Sequence, residues 1–250
     1  MSRFSCRFLS LAATLTVAAL TLTAPAAHAQ SVVAPNAQQN VEGNNGLRFV
    51  ASGNRYQFVY AASQFSALTG PTLLTQIAFR PSIGATSAQT QTIADIEFSL
   101  STTSAAPDAL STTFASNVGG NNLSVFRGAF NISTAFTGPG AGPKDFDIVL
   151  NFTTPFLYNP GEGNLLLDIR KFSTELTFFF DTESTFGDAV SSVQNSTDVN
   201  ATTGTASDAG YVARFTFSPA VTAAPEPGTV ALVAMGLMGT AGMVIRRKKA

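Results

Sequence analysis

Three pairs of carboxylates are spaced for chemistry: Asp95 with Glu97, Asp145 with Asp147, and Asp181 with Glu183. Residues two apart on a strand point to one face with Cα atoms roughly 7 Å apart, a spacing that a two-carboxylate glycosidase can use. Their neighbours argue for a plainer role. In D-I-E-F-S-L, Ile96, Phe98 and Leu100 take the buried face, which sends Asp95 and Glu97 into water. In D-F-D-I-V-L-N-F, Phe146, Ile148, Leu150 and Phe152 do the same for Asp145 and Asp147. A solvated strand face is the preferred reading of all three pairs, ahead of a calcium or sugar site and of catalysis. A calcium loop of the form D-x-D-x-D-G is absent.

Other chemistry is excluded by composition. The one Cys is Cys6 and the one His is His28, so neither occurs between Gln30 and Ala224. Disulfides, Cys/His zinc sites, thiol nucleophiles and Ser-His-Asp arrangements therefore have no residues to build on in that segment. No G-x-G-x-x-G, P-loop or G-x-S-x-G pattern occurs there, and no cofactor is implied. Tyr56, Tyr60, Tyr158 and Tyr211 are stacking platforms for a sugar if exposed and core residues if buried; the absence of Trp counts against the first role. Charged residues make up 12% of the chain against about 25% in an average soluble protein, and the formal net charge is -1. No stretch between the ends gathers Lys and Arg, so nucleic acid is not a partner to expect.

The elements that must position these residues are strands. Short apolar or alternating runs recur at 47–50, 56–60, 73–79, 93–100, 123–130, 146–152, 165–169, 176–180 and 211–217. Breakers such as Gly138-Pro139-Gly140-Ala141-Gly142-Pro143 and Asn159-Pro160-Gly161-Glu162-Gly163-Asn164 separate them. The pattern predicts an all-β fold, a β-sandwich or jelly roll over 47–218, with Phe side chains between two sheets. One short helix is expected over 107–114, where Leu110 and Phe114 stand four apart behind Pro107. Residues 30–46 read as a flexible lead-in, 187–210 as a long loop or weak hairpin, and 219–224 as a tether. From Gln30 to Ala224 there are eight Lys or Arg and fourteen Asp or Glu, so the surface is built mainly from Ser, Thr, Asn and Gln.

Both ends read as addresses. Arg3 and Arg7 precede an apolar run from Phe8 to Leu22, and Ala27-His28-Ala29 places small residues at both positions of an A-x-A cleavage site. Residues 1–29 are thus a signal peptide handled by the general secretion machinery. At the other end Pro225-Glu226-Pro227 is followed by an uncharged run and by Arg246-Arg247-Lys248-Lys249. A helix over 229–245 would rise about 25 Å, enough to cross a locally thinned bilayer. Four cations hold the extreme carboxyl terminus in the cytoplasm and leave the rest of the chain outside. The prolines keep the segment before the span non-helical and open to an enzyme.

The tail APEPGTVALVAMGLMGTAGMVIRRKKA resembles the PEP-CTERM sorting signal of Gram-negative bacteria, also catalogued as an ice-binding protein C-terminal domain, in all three of its parts and in their order. The resemblance implies recognition by exosortase, a membrane-embedded cysteine transpeptidase, in a polysaccharide-producing bacterium. Pro225, Glu226 and Pro227 would be the recognition residues and Arg246, Arg247, Lys248 and Lys249 the retention signal. The precursor would be anchored transiently in the inner membrane with a periplasmic domain, and the mature form would lie at the cell surface or outside it. The stretch LSTTSAAPDALSTTFASNVGG is also similar to uncharacterised extracellular domains joined to such tails. Three functional readings follow in order: a non-enzymatic surface or matrix protein associated with extracellular polysaccharide, a carbohydrate-binding module, and a carboxylate-based glycosidase.

Overall fold

A computed structural model of the chain describes residues 29–82 and 84–219. The expected span over 229–245 and the sorting residues lie outside them, as does Ala27. Among the described residues no helix is long and apolar enough to cross a membrane.

Among the described residues there are thirteen strands, all paired antiparallel. They are β1 (Gln30–Ala34), β2 (Asn45–Leu47), β3 (Asn54–Tyr60), β4 (Thr72–Phe79), β5 (Gln89–Thr103), β6 (Leu123–Thr134) and β7 (Ile148–Tyr158). They continue as β8 (Asn164–Lys171), β9 (Phe180–Ser184), β10 (Val190–Asn195), β11 (Thr205–Ser207), β12 (Ala209–Tyr211) and β13 (Ala213–Pro219). A four-stranded sheet runs β1-β13-β4-β7, a six-stranded sheet β11-β10-β3-β8-β5-β6, and a three-stranded sheet β12-β9-β2. Rings from different sheets meet in one core: Tyr60 of β3 lies edge-on to Phe215 of β13 at 5.1 Å, and Phe79 of β4 meets Phe98 of β5 at 6.4 Å. The small sheet adds Phe180 and Tyr211, 5.5 Å apart, to the same cluster. Edge-to-face contacts of this kind add to the area that the rings bury, which is how a chain without Trp fills its interior.

Two departures from strict alternation have local causes. Leu74 and Ile77 are both buried although three apart, because the pairing of β4 with β13 and β7 skips Thr75. Ile93 and Ile96 are likewise both buried across a register shift between β5 and β6. One extra residue in a strand restores the inward face after a break in phase. Strands β3 and β8 are buried almost continuously because both faces are covered. Their outward Val59 and Leu166 pack with Val193, Leu110 and Phe114 in a second, smaller cluster.

Several expectations differ from the structure. Residues 30–46, expected as a flexible lead-in, contain β1, which pairs along its whole length with β13, and the start of β2, because β13 would otherwise leave an open edge. The helix expected over 107–114 is absent: Asp108 takes a positive φ of 59°, which breaks a helix, and only a 3-10 turn at Phe114–Asn117 follows. Leu110 and Phe114 still share one cluster, brought together by a turn. The polar stretch 187–210 agrees with the hairpin alternative expected for it, and contains the pair β10 and β11. Strand β2 ends where the run 47–50 begins, and β9 begins where the run 176–180 ends. There Phe178 and Phe180 are buried, and the chain before β9 is held by separate bonds to different partners, Thr177 N–H donating to the Phe49 carbonyl and the Phe179 carbonyl accepting from the Ser82 N–H, both at 3.0 Å.

Candidate functional site

The residues singled out for sorting and processing are terminal, and the fold fixes where the described chain leads to them. Ala29 stands directly before β1, and β13 runs through Pro219, the first residue of the expected tether 219–224. Gln30 pairs with Phe217. The two ends of the described chain therefore leave from neighbouring strand ends at one pole of the molecule.

The carboxylate pairs part company. Asp95 and Glu97 point outward as expected, and Arg127 ties them across the sheet, Nε to Asp95 at 2.7 Å and Nη1 to Glu97 at 3.5 Å. Asp145 and Asp147 lie ahead of β7. Asp147 accepts from the Thr134 hydroxyl at 3.0 Å and the Ala135 N–H at 2.8 Å, capping the end of β6, and Asp145 accepts from the Thr137 hydroxyl at 2.7 Å.

Asp181 and Glu183 overturn the solvated reading: both are buried, because β9 is the middle strand of its sheet and residues 38–44 cover it. Asp181 pairs with Arg80 at 2.6 Å and accepts from the Gly43 N–H at 3.0 Å. Burial raises the Asp181 pKa even so, against the lowering by Arg80. Glu183 accepts from Gln38 at 2.9 Å and Asn44 at 2.8 Å. Arg80 also donates to the carbonyls of Gln38 and Val41. These acids are the staples that hold residues 38–44 in place, and a glycosidase pair of converging accessible acids is not what they form. No group of three or more His, Cys, Asp or Glu that could hold a metal occurs among the described residues.

The tyrosines are interior. Tyr56, Tyr60, Tyr158 and Tyr211 are all at most 1% exposed, so no ring of the four is presented to a sugar. Burial pushes the Tyr56 pKa up to about 12 and raises the other three further. The Tyr60 hydroxyl donates to the Tyr211 carbonyl and the Tyr158 hydroxyl to the Gly163 carbonyl, both at 3.0 Å.

A cleft that the sequence reading did not single out lies beside β1 and β13. Its two lobes, of 510 and 430 Å³, share the walls Gln39, Asn40, Phe146 and Arg214. One lobe reaches Asn36 and Gln64, and the other reaches Lys144, Asp145 and Arg80. Arg80 and Arg214 both lie against the Phe146 ring, at 4.8 and 5.5 Å from its centroid. Lys144 is 7% exposed; its Nζ donates to the Pro139 carbonyl at 2.5 Å and sits 4.8 Å from the centre of the Phe136 ring. Arg214 donates to the Phe146 carbonyl at 3.0 Å. One signal in the sequence pointed here: Arg214 alternates with the buried Ala213 and Phe215, which places a cation on the outer face of an otherwise nearly uncharged strand.

The described residues form a β-rich domain, and the chain beyond them carries a carboxyl-terminal address. Residues 223–248 match the PEP-CTERM protein-sorting motif, which spans Pro225, Glu226, Pro227 and the cations from Arg246 to Lys248. The motif implies an exosortase-sorted exported protein with a membrane-associated precursor. No curated protein and no solved structure matches the chain.

Proposed function

We propose that the chain is a non-enzymatic surface or extracellular-matrix protein, exported as a precursor and processed by exosortase. Residues 1–29 direct export and are removed after Ala29, with Ala27 and Ala29 in the cleavage site. The 229–245 helix then holds the precursor in the inner membrane, with Arg246, Arg247, Lys248 and Lys249 on the cytoplasmic side and a periplasmic β-sandwich outside. Exosortase cuts near Pro225, Glu226 and Pro227 and releases the domain to the cell surface or the surrounding polymer. The sorting-motif match carries this reading. The pairing of Gln30 with Phe217 supports it, since both membrane-directed ends then leave one pole and the domain can stand off a single membrane.

The test is the intact mass of the protein from its native host. A product beginning at Gln30 and ending close to Pro225 is expected. Material that keeps its last two dozen residues would make the chain a permanently anchored protein and sink the proposal.

A further inference from the structure

We infer that the cleft beside β1 and β13 binds a carboxylate-bearing saccharide, with Lys144 and Arg214 receiving the acid group. The inference deepens the matrix reading above by naming the site and the ligand class through which the domain would hold its polymer.

Charge carries it. An ammonium has three donors, and a cation taken out of water is normally compensated by an anion. Lys144 is 7% exposed, yet its ammonium meets only neutral groups, donating to the Pro139 carbonyl and lying over the Phe136 ring. Neither Lys144 nor Arg214 has a carboxylate within 4 Å among the described residues. The third cation of the cleft, Arg80, is already neutralised by Asp181. The surplus positive charge therefore belongs to Lys144 and Arg214, which line the same lobe.

The rest of the wall selects the kind of anion. Asp145 lines that lobe too, so the two cations are partly offset, and a singly charged group fits better than a phosphate dianion. Guanidinium nitrogens match a carboxylate with paired donors. Beyond the cations the shared walls include Gln39 and Asn40, whose amides suit sugar hydroxyls, while Phe146 serves to seat the guanidiniums of Arg80 and Arg214. Each lobe falls in the ~300–1,000 Å³ range of small-molecule sites, and two lobes in series accept consecutive units of a chain.

The experiment is calorimetric titration of the full chain in detergent with oligogalacturonate, with free galacturonate and with neutral dextran oligomers of matched length. Oligogalacturonate should bind, dextran should bind at least about tenfold more weakly, and added salt should weaken the acidic ligand. Arg214→Gln, at a half-buried position, and Lys144→Met should each cost about tenfold or more, the loss of a charge-assisted contact. Should Lys144→Met fail to fold, Arg214→Gln and Asn40→Ala, read alongside a thermal unfolding curve, carry the test. Binding of free galacturonate as tight as the oligomer would place the ligand among small acids and overturn the saccharide-chain assignment. Equal binding of dextran, no binding of the acid, or unchanged affinity in folded variants would overturn the site. Tail processing is read separately by mass, so a failed titration leaves the sorting proposal standing, and a retained tail leaves the titration interpretable.

Discussion

Asp181 and Arg80 show what a buried ion pair does in this domain. Each is at most 1% exposed, and Nη2 of Arg80 donates to the carbonyls of Gln38 and Val41. Removing one partner strands the other: Asp181→Asn should destabilise the domain by about 3–5 kcal/mol in urea unfolding, whereas Arg80→Met with Asp181→Leu should recover much of that loss. A single mutant as stable as the double would mean that the pair is solvated in practice. Asp188 gives the pH dependence. Burial first, with Glu183 and Asp108 adding repulsion, raises its pKa from 3.8 to about 6. A carboxyl with a raised folded pKa binds more protons folded than unfolded between those values, so the contribution of Asp188 to stability is fully present below about pH 4 and is lost as pH rises through about 6. Asp181, also raised by burial, adds to the same slope, and Glu175, lowered by its Ser173 hydrogen bond, opposes it. Asp188→Asn should flatten the slope, gaining about 1–2 kcal/mol over the wild type at pH 7 and nothing at pH 3.5, after allowance for its partial exposure. Chemical denaturation at a series of pH values checks this; parallel curves for both proteins would refute it.

At the scale of elements, β1 is the strand on which most depends for its size. It supplies five residues, but they complete an edge of the four-stranded sheet and pair with every residue from Ala213 to Phe217. A chain beginning at Asn36 would leave the β13 edge bare, and open edges pair with other chains. Light scattering should then show association rising with concentration, while the form beginning at Gln30 stays monodisperse; a monodisperse truncated form would show that β1 is dispensable. Strands β3, β5, β6 and β8 were legible from residue types because each holds an apolar or alternating run, 56–60, 93–100, 123–130 and 165–169, within its bounds. Strand β1 was not, since Q-S-V-V-A is ordinary as local sequence and becomes a strand through what it pairs with. Asp181 and Glu183 misled for the same reason. Their alternation was real, but β9 has a strand on either side and a covering loop, so both faces are interior. Leu110 and Phe114 were legible as partners but not as a helix, because the positive φ at Asp108 is invisible in a four-residue spacing.

For the whole molecule, the sorting motif lies at the carboxyl end and the architecture decides whether it can be reached. The match to the sorting motif was legible because it depends on residue order alone, and the cleft was not, because Lys144, Phe146 and Arg214 meet only through folding. Pro219 is paired with Thr72 inside the sheet, and five residues, 220–224, separate it from Pro225. At ~3.3–3.6 Å per extended residue the six steps from Pro219 to Pro225 reach about 20 Å. A backbone paired in a sheet cannot also lie extended in an enzyme's active site, so under the processing proposal that reach is what would free the Pro-Glu-Pro segment from the body of the domain. Deleting 220–224 should leave the fold intact and bring Pro225 against the end of β13, where precursor with its full tail accumulates in the native host. Replacing the same five residues with Gly and Ser should restore processing, because length rather than sequence is at issue. Whole-protein masses from the two strains decide it: a deleted form trimmed as fast as the wild type would show that the enzyme takes its substrate without needing clearance from the sheet.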